Sequence, residues 1–572
     1  MSSLTISGRH PLSPFGITPK VVILVLILGI GTIPPLLFLI FASVHSFNPD
    51  GSFAEMTLAH FHEIFTSRAF FTSLFNSVVY SFGSALLALA IGAAQAWLAE
   101  RTDAPFRQWL YVTAIISLGI PYVLYIVAWL LFLGKAGSVN QLLAFLFGGT
   151  GPYINVNSLG GMIFIEGMLW SPLAFLLLSS VFRNADAAFE EAATMCGASL
   201  PATLRHVTFG MAQPALFALA LLVFIKASES FEVPALVGLP GGTRVVTTTV
   251  YQRLTLDMPP SVGSASALGV LLLVVMAVLL HFYGRLSAQA HRFRTVTGKG
   301  FRPRVIRLGR WRYPVTVLIA LIPIVVVIIP LVTIIWAALL PFYQPFSIDG
   351  LSRLRLTNFI QVLTSPSARG AVFNSLVLGA ATATLVTALG AVAGWCVARR
   401  VTGGRLIDAL AALPLVFPAI VLGLAYLQIL VHGVALYGTL LSLILVSAVA
   451  YIPYGLRYAQ LGVIQIHPEL EEAAGIAGAG YPSTFVRVVL PLLVPALISC
   501  WLFVFLLAVR AMALVLLLAG PESQVVAVSL FDLWNNGPIG EVAALGFVWT
   551  VIMTFFSVAF FVLARRYQLP IG

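Results

Sequence analysis

The sequence is poor in charge. Asp, Glu, Lys and Arg together make 9% of its 572 residues, where soluble domains carry about 25%. So few charges cannot cover a water-facing surface, which excludes a solvated globular protein, a coiled coil and a disordered chain. Cysteine is equally scarce: Cys196, Cys396 and Cys500 stand far apart, so no disulfide framework is expected. No G-x-x-x-x-G-K-[ST] phosphate loop occurs, because Gly134-Lys135 and Gly298-Lys299 lack both the preceding glycine and the following hydroxyl. The chain is therefore expected to bind no cofactor and hydrolyse no nucleotide. Metal ligands are sparse too. His60-Phe61-His62 with Glu63 is the one close histidine pair, a weak set that reads more simply as a solvated loop than as a metal site.

What the sequence has is apolar length. The set AVILMFWYC makes 60% of it and the mean hydropathy is +1.01, the signature of a polytopic membrane protein. Twelve spans are predicted near 21–44, 72–98, 109–133, 158–182, 212–237, 262–284, 314–341, 371–397, 407–431, 435–456, 492–519 and 542–565. The first apolar run is too long for a signal-peptide core and reads as a retained helix. The loops on one side of these spans carry 22 Lys and Arg and those on the other 7, with Lys226 and Arg510 inside spans. By the positive-inside rule both termini are expected to be cytoplasmic. Nine of the 22 lie between Arg285 and Arg312 with no acidic residue. Anionic lipid headgroups, rather than nucleic acid, are the expected neighbours of that linker.

The linker separates two similar halves. Asn76-Ser77, Trp97 and Arg101 recur 298 residues later as Asn374-Ser375, Trp395 and Arg399. Pro214 and Pro240 recur 281 residues later as Pro495 and Pro521, and Ala267-Leu268-Gly269 returns as Ala544-Leu545-Gly546. The drop in spacing places about 17 extra residues in the first half, most simply in 134–158. Six spans per half make the repeats parallel, with a pseudo-twofold axis along the membrane normal. The expected division is 1–284, a basic linker 285–313, and 314–572.

A duplicated loop follows the fourth span of each half, over 186–213 and 467–494. The first copy reads Glu190-Glu191-Ala192-Ala193 and then Gly197; the second reads Glu471-Glu472-Ala473-Ala474 and then Gly478. Good helix formers followed a turn later by glycine predict a helix–turn–helix in each loop. Two such units around a twofold axis suit a twofold partner.

At these residues the chain resembles the permease subunits of binding-protein-dependent ATP-binding cassette importers. Their mark is E-A-A, three residues, Gly, nine residues, then I-x-L-P. Glu472-Ala473-Ala474, Gly478 and Val488-Val489-Leu490-Pro491 fit closely; the first copy departs at its end, Val207-Thr208-Phe209-Gly210. The resemblance implies an all-α, type I importer permease fold made of two fused permease domains in a bacterial inner membrane. It also implies coupling helices seated in two cytoplasmic ATPase subunits, which hold ATP and magnesium, and a periplasmic solute-binding protein that selects the solute. The ferric-iron branch is most similar, with Ser230-Phe231-Glu232-Val233-Pro234 resembling its fifth-span ending; thiamine, polyamine and phosphonate importers are close by. Where many ferric members place a glutamate after the arginine, here Arg510 precedes Ala511-Met512.

Charges inside the membrane mark the expected path. Lys226, Glu229 and Glu232 are spaced i, i+3 and i+6 in the fifth span, close to one helix face. Residue 229 shifted by 281 is Arg510, so opposite charges occupy equivalent points of two helices. Either Lys226 and Glu229 neutralise one another locally, or Glu229 and Arg510 meet across the interface as part of an outer gate. Another class, a proton-coupled secondary transporter, also has twelve spans in parallel halves. Its G-x-x-x-D-R-x-G-R-R loop is not matched by Glu100-Arg101-Thr102-Asp103-Ala104-Pro105.

Overall fold

The computed structural model describes residues 19–48, 52–149, 151–184, 187–292, 307–433 and 435–566. Part of the basic linker, 293–306, lies outside the described residues, as do the first 18 residues and the last six. Among the described residues, eleven helices are long and apolar enough to cross a membrane, and twelve spans result when the bent pair Gly404–Val416 and Ala419–His432 counts as one. A two-stranded hairpin, His45–Phe47 against Phe53–Met56, follows the first helix.

Second and fourth spans form the tightest seam of each half, Arg68–Arg101 against Leu159–Asn184 and Pro366–Ala398 against Leu440–Gln465. Small residues permit it. A Cβ on Gly92 would lie 2.6 Å from the Ala174 Cβ, and one on Gly390 would lie 2.5 Å from the Gly455 carbonyl carbon. These are equivalent points of the two repeats, and close backbone approach through small residues is how membrane helices gain packing energy. The halves also interlock. The first helix (Pro19–Ser43) packs on Gly404–Ala412 and Ala419–His432 of the second half, while Ile329–Leu339 packs on Tyr122–Leu133 of the first.

Three expectations from the sequence are corrected. The third spans are not continuous helices over 109–133 and 407–431. Gln108–Gly119 ends at Ile120 (φ −78°, ψ 127°) and Tyr122–Leu133 restarts after Pro121. The second half breaks at Phe417 (φ −86°, ψ 120°) before Pro418, bending the chain by 106°. Proline removes an amide and pushes the residue before it into the extended region, so both breaks have one cause. In the first half the apolar run then continues through Ser138–Phe147 to residue 147. That helix occupies the extra 134–158 stretch.

The fifth spans, expected over 212–237 and 492–519, are shorter as helices. They end at Glu229 and Arg510, where Ser230 and Ala511 turn extended. Glu232 therefore lies beyond the helix and does not share a face with Lys226 and Glu229. The sixth helix, by contrast, runs to Arg292, eight residues into the expected linker.

The recurring Asn-Ser dipeptide acquires a role. Ser77 Oγ accepts the Val246 amide at 2.9 Å and Ser375 Oγ accepts the Val526 amide at 2.8 Å. Asn76 and Asn374 donate to the carbonyls of Arg244 and Gln524 at 3.0 Å each. Each pair pins the start of a short helix, Val246–Thr255 or Val526–Asn536, that follows the fifth span. First-turn amides have no partner within their own helix, and the serine satisfies one of them.

Candidate functional site

The duplicated loops fold alike. Ala187–Met195 and Leu200–Thr203 flank Gly197 in the first; Glu469–Ile476 and Tyr481–Thr484 flank Gly478 in the second. Gly197 has φ +82° and Gly478 φ +85°. The Gly197 amide donates to Thr194 O at 3.0 Å and the Ala198 amide to Ala193 O at 3.0 Å. Gly478 donates to Gly475 O and Ala479 to Ala474 O, both at 2.9 Å. This is a Schellman stop in both copies. The E-A-A-to-Gly spacing is thereby explained: the last alanine of the motif supplies the carbonyl that the residue after glycine must reach.

The paired glutamates divide into two roles. Glu190 is buried; its Oε2 lies 3.7 Å from Arg101 Nη1 and its Oε1 accepts Thr208 Oγ1 at 2.7 Å. Glu471 accepts Arg399 Nε at 2.8 Å and Trp395 Nε1 at 3.1 Å. Arg101 and Arg399 end the second spans, so each first glutamate ties its loop to the helical bundle. Thr208 fills the free position of I-x-L-P in the first copy, where the second has Val489, and its hydroxyl supplies a hydrogen bond that valine cannot make. The exit turn forms regardless, over Leu204–Thr208 and Phe485–Val489. Glu191, Ala192, Glu472 and Ala473 face outward, whereas Ala193 and Ala474 are half-buried. The large apolar residues at equivalent places beside the glycines are Met195, 89% exposed, and Ile476, 90% exposed. The pattern had not singled them out, although their position just before the stop was readable.

The intramembrane charges form a second cluster, near the far ends of the fifth spans. Lys226 Nζ holds Glu229 Oε1 at 2.5 Å, the local neutralisation that was one of the two expectations. Arg510 donates from Nη2 to Ile120 O at 3.2 Å and lies 4.2 Å over the Tyr122 ring. Its partners thus sit at the break in the first half's third span, where a carbonyl has lost its helical donor. Glu232 Oε1 accepts the Ala513 amide at 3.4 Å. Residues 232 and 513 are equivalent positions, 281 apart, and equivalent positions can touch only beside the axis that relates them. The pseudo-twofold axis therefore runs past Glu232.

Farther from the loops, a cavity of about 760 Å³ includes Tyr251 of Val246–Thr255 and Phe531 of Val526–Asn536 in its wall. Burial lifts the Asp532 carboxyl above its ordinary range, opposed by the Gln524 amide, which donates to Oδ2 at 2.7 Å. His60 and Glu63 do not converge on a metal: His60 Nε2 meets His45 O at 3.1 Å, and Glu63 pairs with Arg253 at 2.9 Å and accepts Ser264 at 2.9 Å.

A duplicated membrane bundle that presents two matched helix–turn–helix loops on one face is the architecture of a transport permease. The chain belongs to the family of binding-protein-dependent transport system inner membrane components, whose sequence profile matches residues 88–291 and again 386–569. It is 25% identical over 435 residues to the ferric transport system permease protein FbpB of Actinobacillus pleuropneumoniae, covering 74% of this chain and 61% of that one. A putative ferric permease of Haemophilus influenzae is 25% identical with 62% of its length covered. The chain thus spans about three fifths of those two relatives. The probable ABC transporter permease y4fN of Sinorhizobium fredii is 25% identical with 89% of each chain covered. A putative 2-aminoethylphosphonate permease of Salmonella typhi is 25% identical over 42% of this chain. Among solved structures, a bacterial importer of the polysaccharide alginate aligns over 48% of this chain at 19% identity, with a TM-score of 0.39.

Proposed function

We propose that the chain is the transmembrane permease subunit of an ATP-driven importer, with the duplicated loops cytoplasmic and each seated on one of two ATPase subunits. Lys and Arg concentrated 22 to 7 on the loop side support that orientation. A solute-binding protein delivers the solute to the opposite face of a bacterial inner membrane, and the path follows the pseudo-twofold axis. Ferric iron is the favoured solute, since one relative is named a ferric transport permease and a second a putative one; thiamine, polyamine and phosphonate remain the alternatives within the class. The chain itself translocates and holds no ATP. Lys226, Glu229, Glu232 and Arg510 line and gate the path.

The observation that carries the reading is the matched pair of loops, each closing on an exposed apolar knob beside a left-handed glycine. Burying such a side chain is worth about 1.5–3 kcal/mol. Replacing both Met195 and Ile476 by Glu should therefore weaken ATPase association by roughly a hundredfold or more, with the permease still folded. Co-purification of the ATPase from detergent-solubilised membranes measures it, and undiminished recovery of the ATPase would remove these knobs from the interface.

The gate makes a separate demand. Arg510→Ala deprives the Ile120 carbonyl of a charged donor, an interaction worth about 1.5–3 kcal/mol, and uptake should fall at least tenfold. The exchange Glu229→Arg with Arg510→Glu should not restore it, because Lys226 holds Glu229 in this conformation. Recovery of uptake by that exchange would instead show the two charges meeting during the cycle.

A further inference from the structure

The cavity beyond the fifth spans sits on the pseudo-twofold axis. Val246 and Val526 are anchored identically, so positions in these two short helices correspond at a shift of 280 (246 to 526). Tyr251 and Phe531 are then equivalent, and their rings lie 6.5 Å apart in the wall of one cavity. The stretch that gives Leu516 and Leu517 to the same wall also carries Ala513, which meets Glu232. Cavity and axial contact therefore lie in line along the expected route.

Its chemistry is one-sided. Asp532 is the one charged side chain among the described residues lining it. Gln428, another lining residue, is 5% exposed, and its side-chain oxygen Oε1 is buried without a hydrogen-bond partner. An unsatisfied buried acceptor is costly and calls for an explanation. The wall thus carries a carboxylate and no Lys or Arg, with the Gln428 carboxamide beside it and that side chain's oxygen buried behind the surface, a setting that asks for a donor or a cation.

We infer that this cavity is an entry vestibule for a small cation, either a hydrated metal ion or an ammonium-bearing solute, with Asp532 as its charged ligand and the Gln428 carboxamide in the wall supporting it. Such a site disfavours phosphate-like anions. The inference takes its biological sense from the importer reading, but its test needs neither ATPase nor binding protein, so one can fail while the other stands.

Terbium(III) is a suitable probe, because Tyr251 and Tyr437 in the wall can sensitise its emission. With the full chain in lipid nanodiscs, Asp532→Asn should weaken terbium binding at least tenfold. Gln428→Leu should weaken it several-fold. Asp257→Asn, outside the cavity wall, should leave it unchanged. Displacement of terbium by putrescine would assign the site to ammonium solutes, and resistance to putrescine would assign it to metal ions. If Gln428 had only a packing role, Gln428→Leu would raise the melting temperature and leave terbium binding intact. That result, or unaltered binding in Asp532→Asn, or protection of the cavity by inorganic phosphate in place of either cation, would overturn the proposal.

Discussion

Gly478→Val is expected to abolish most solute uptake while leaving the permease folded and present at normal levels in the membrane. Gly478 has φ +85° and a Cβ there would meet nothing within 4 Å, so the penalty is in the backbone alone. A β-branched residue in the left-handed region costs at least about 1–2 kcal/mol. The loop has an inexpensive escape, since unwinding the stop breaks only the two hydrogen bonds from Gly478 and Ala479. The predicted consequence is a displaced coupling helix: ATP hydrolysis persists but no longer drives uptake. Gly478→Asn should be milder, because asparagine tolerates this region better than other side chains. Gly197→Val, at φ +82°, should act in the same direction. Uptake and ATPase activity measured together in reconstituted vesicles decide it, and wild-type coupling in both valine variants would refute the role given to the turn.

The second large effect should fall on stability. Arg101 is fully buried and Glu190 is nearly so. Removing one member of a buried pair takes the countercharge from the other, at a cost of about 3–5 kcal/mol. Glu190→Ala should therefore lower membrane levels and thermal stability sharply. Its neighbour Glu191 is exposed, and Glu191→Ala should change stability by no more than about 0.5 kcal/mol. In the second copy the Arg399–Glu471 pair is partly exposed, 19% and 16%, so screening by solvent should make Glu471→Ala milder than Glu190→Ala. Thermal melting of the purified variants ranks them. Equal losses for Glu190→Ala and Glu191→Ala would mean the two glutamates share one role.

Much of this was readable in the chain. The repeat, the parallel halves and the glycine stops follow from spacing alone, because both copies must meet the same geometry. Arg101 and Arg399 were visible as recurring residues, and so were Glu190 and Glu471; that they bond to each other needed the fold. The third-span breaks were harder to see for a physical reason. Pro34, Pro35, Pro172, Pro214 and Pro453 all sit inside continuous helices, so a proline in an apolar run does not announce a break. What distinguishes Pro121 is that the freed Ile120 carbonyl finds Arg510, 390 residues away, a partner local sequence cannot reveal. The end of the fifth helix at Glu229 was missed similarly, and Glu232 was thereby assigned to a helical face when it instead reaches the axis. The vestibule was not legible at all, since its wall joins residues from both halves.

We propose that ATP, not an ion gradient, drives solute through this chain. Uptake of radiolabelled ferric iron, presented on a candidate solute-binding protein, into right-side-out vesicles containing the permease and a candidate ATPase tests this most directly. Uptake should require internal ATP, survive a protonophore when ATP is held constant, and be lost in Gly478→Val. Uptake that collapses with the proton gradient at constant ATP, or proceeds without ATP, would contradict it.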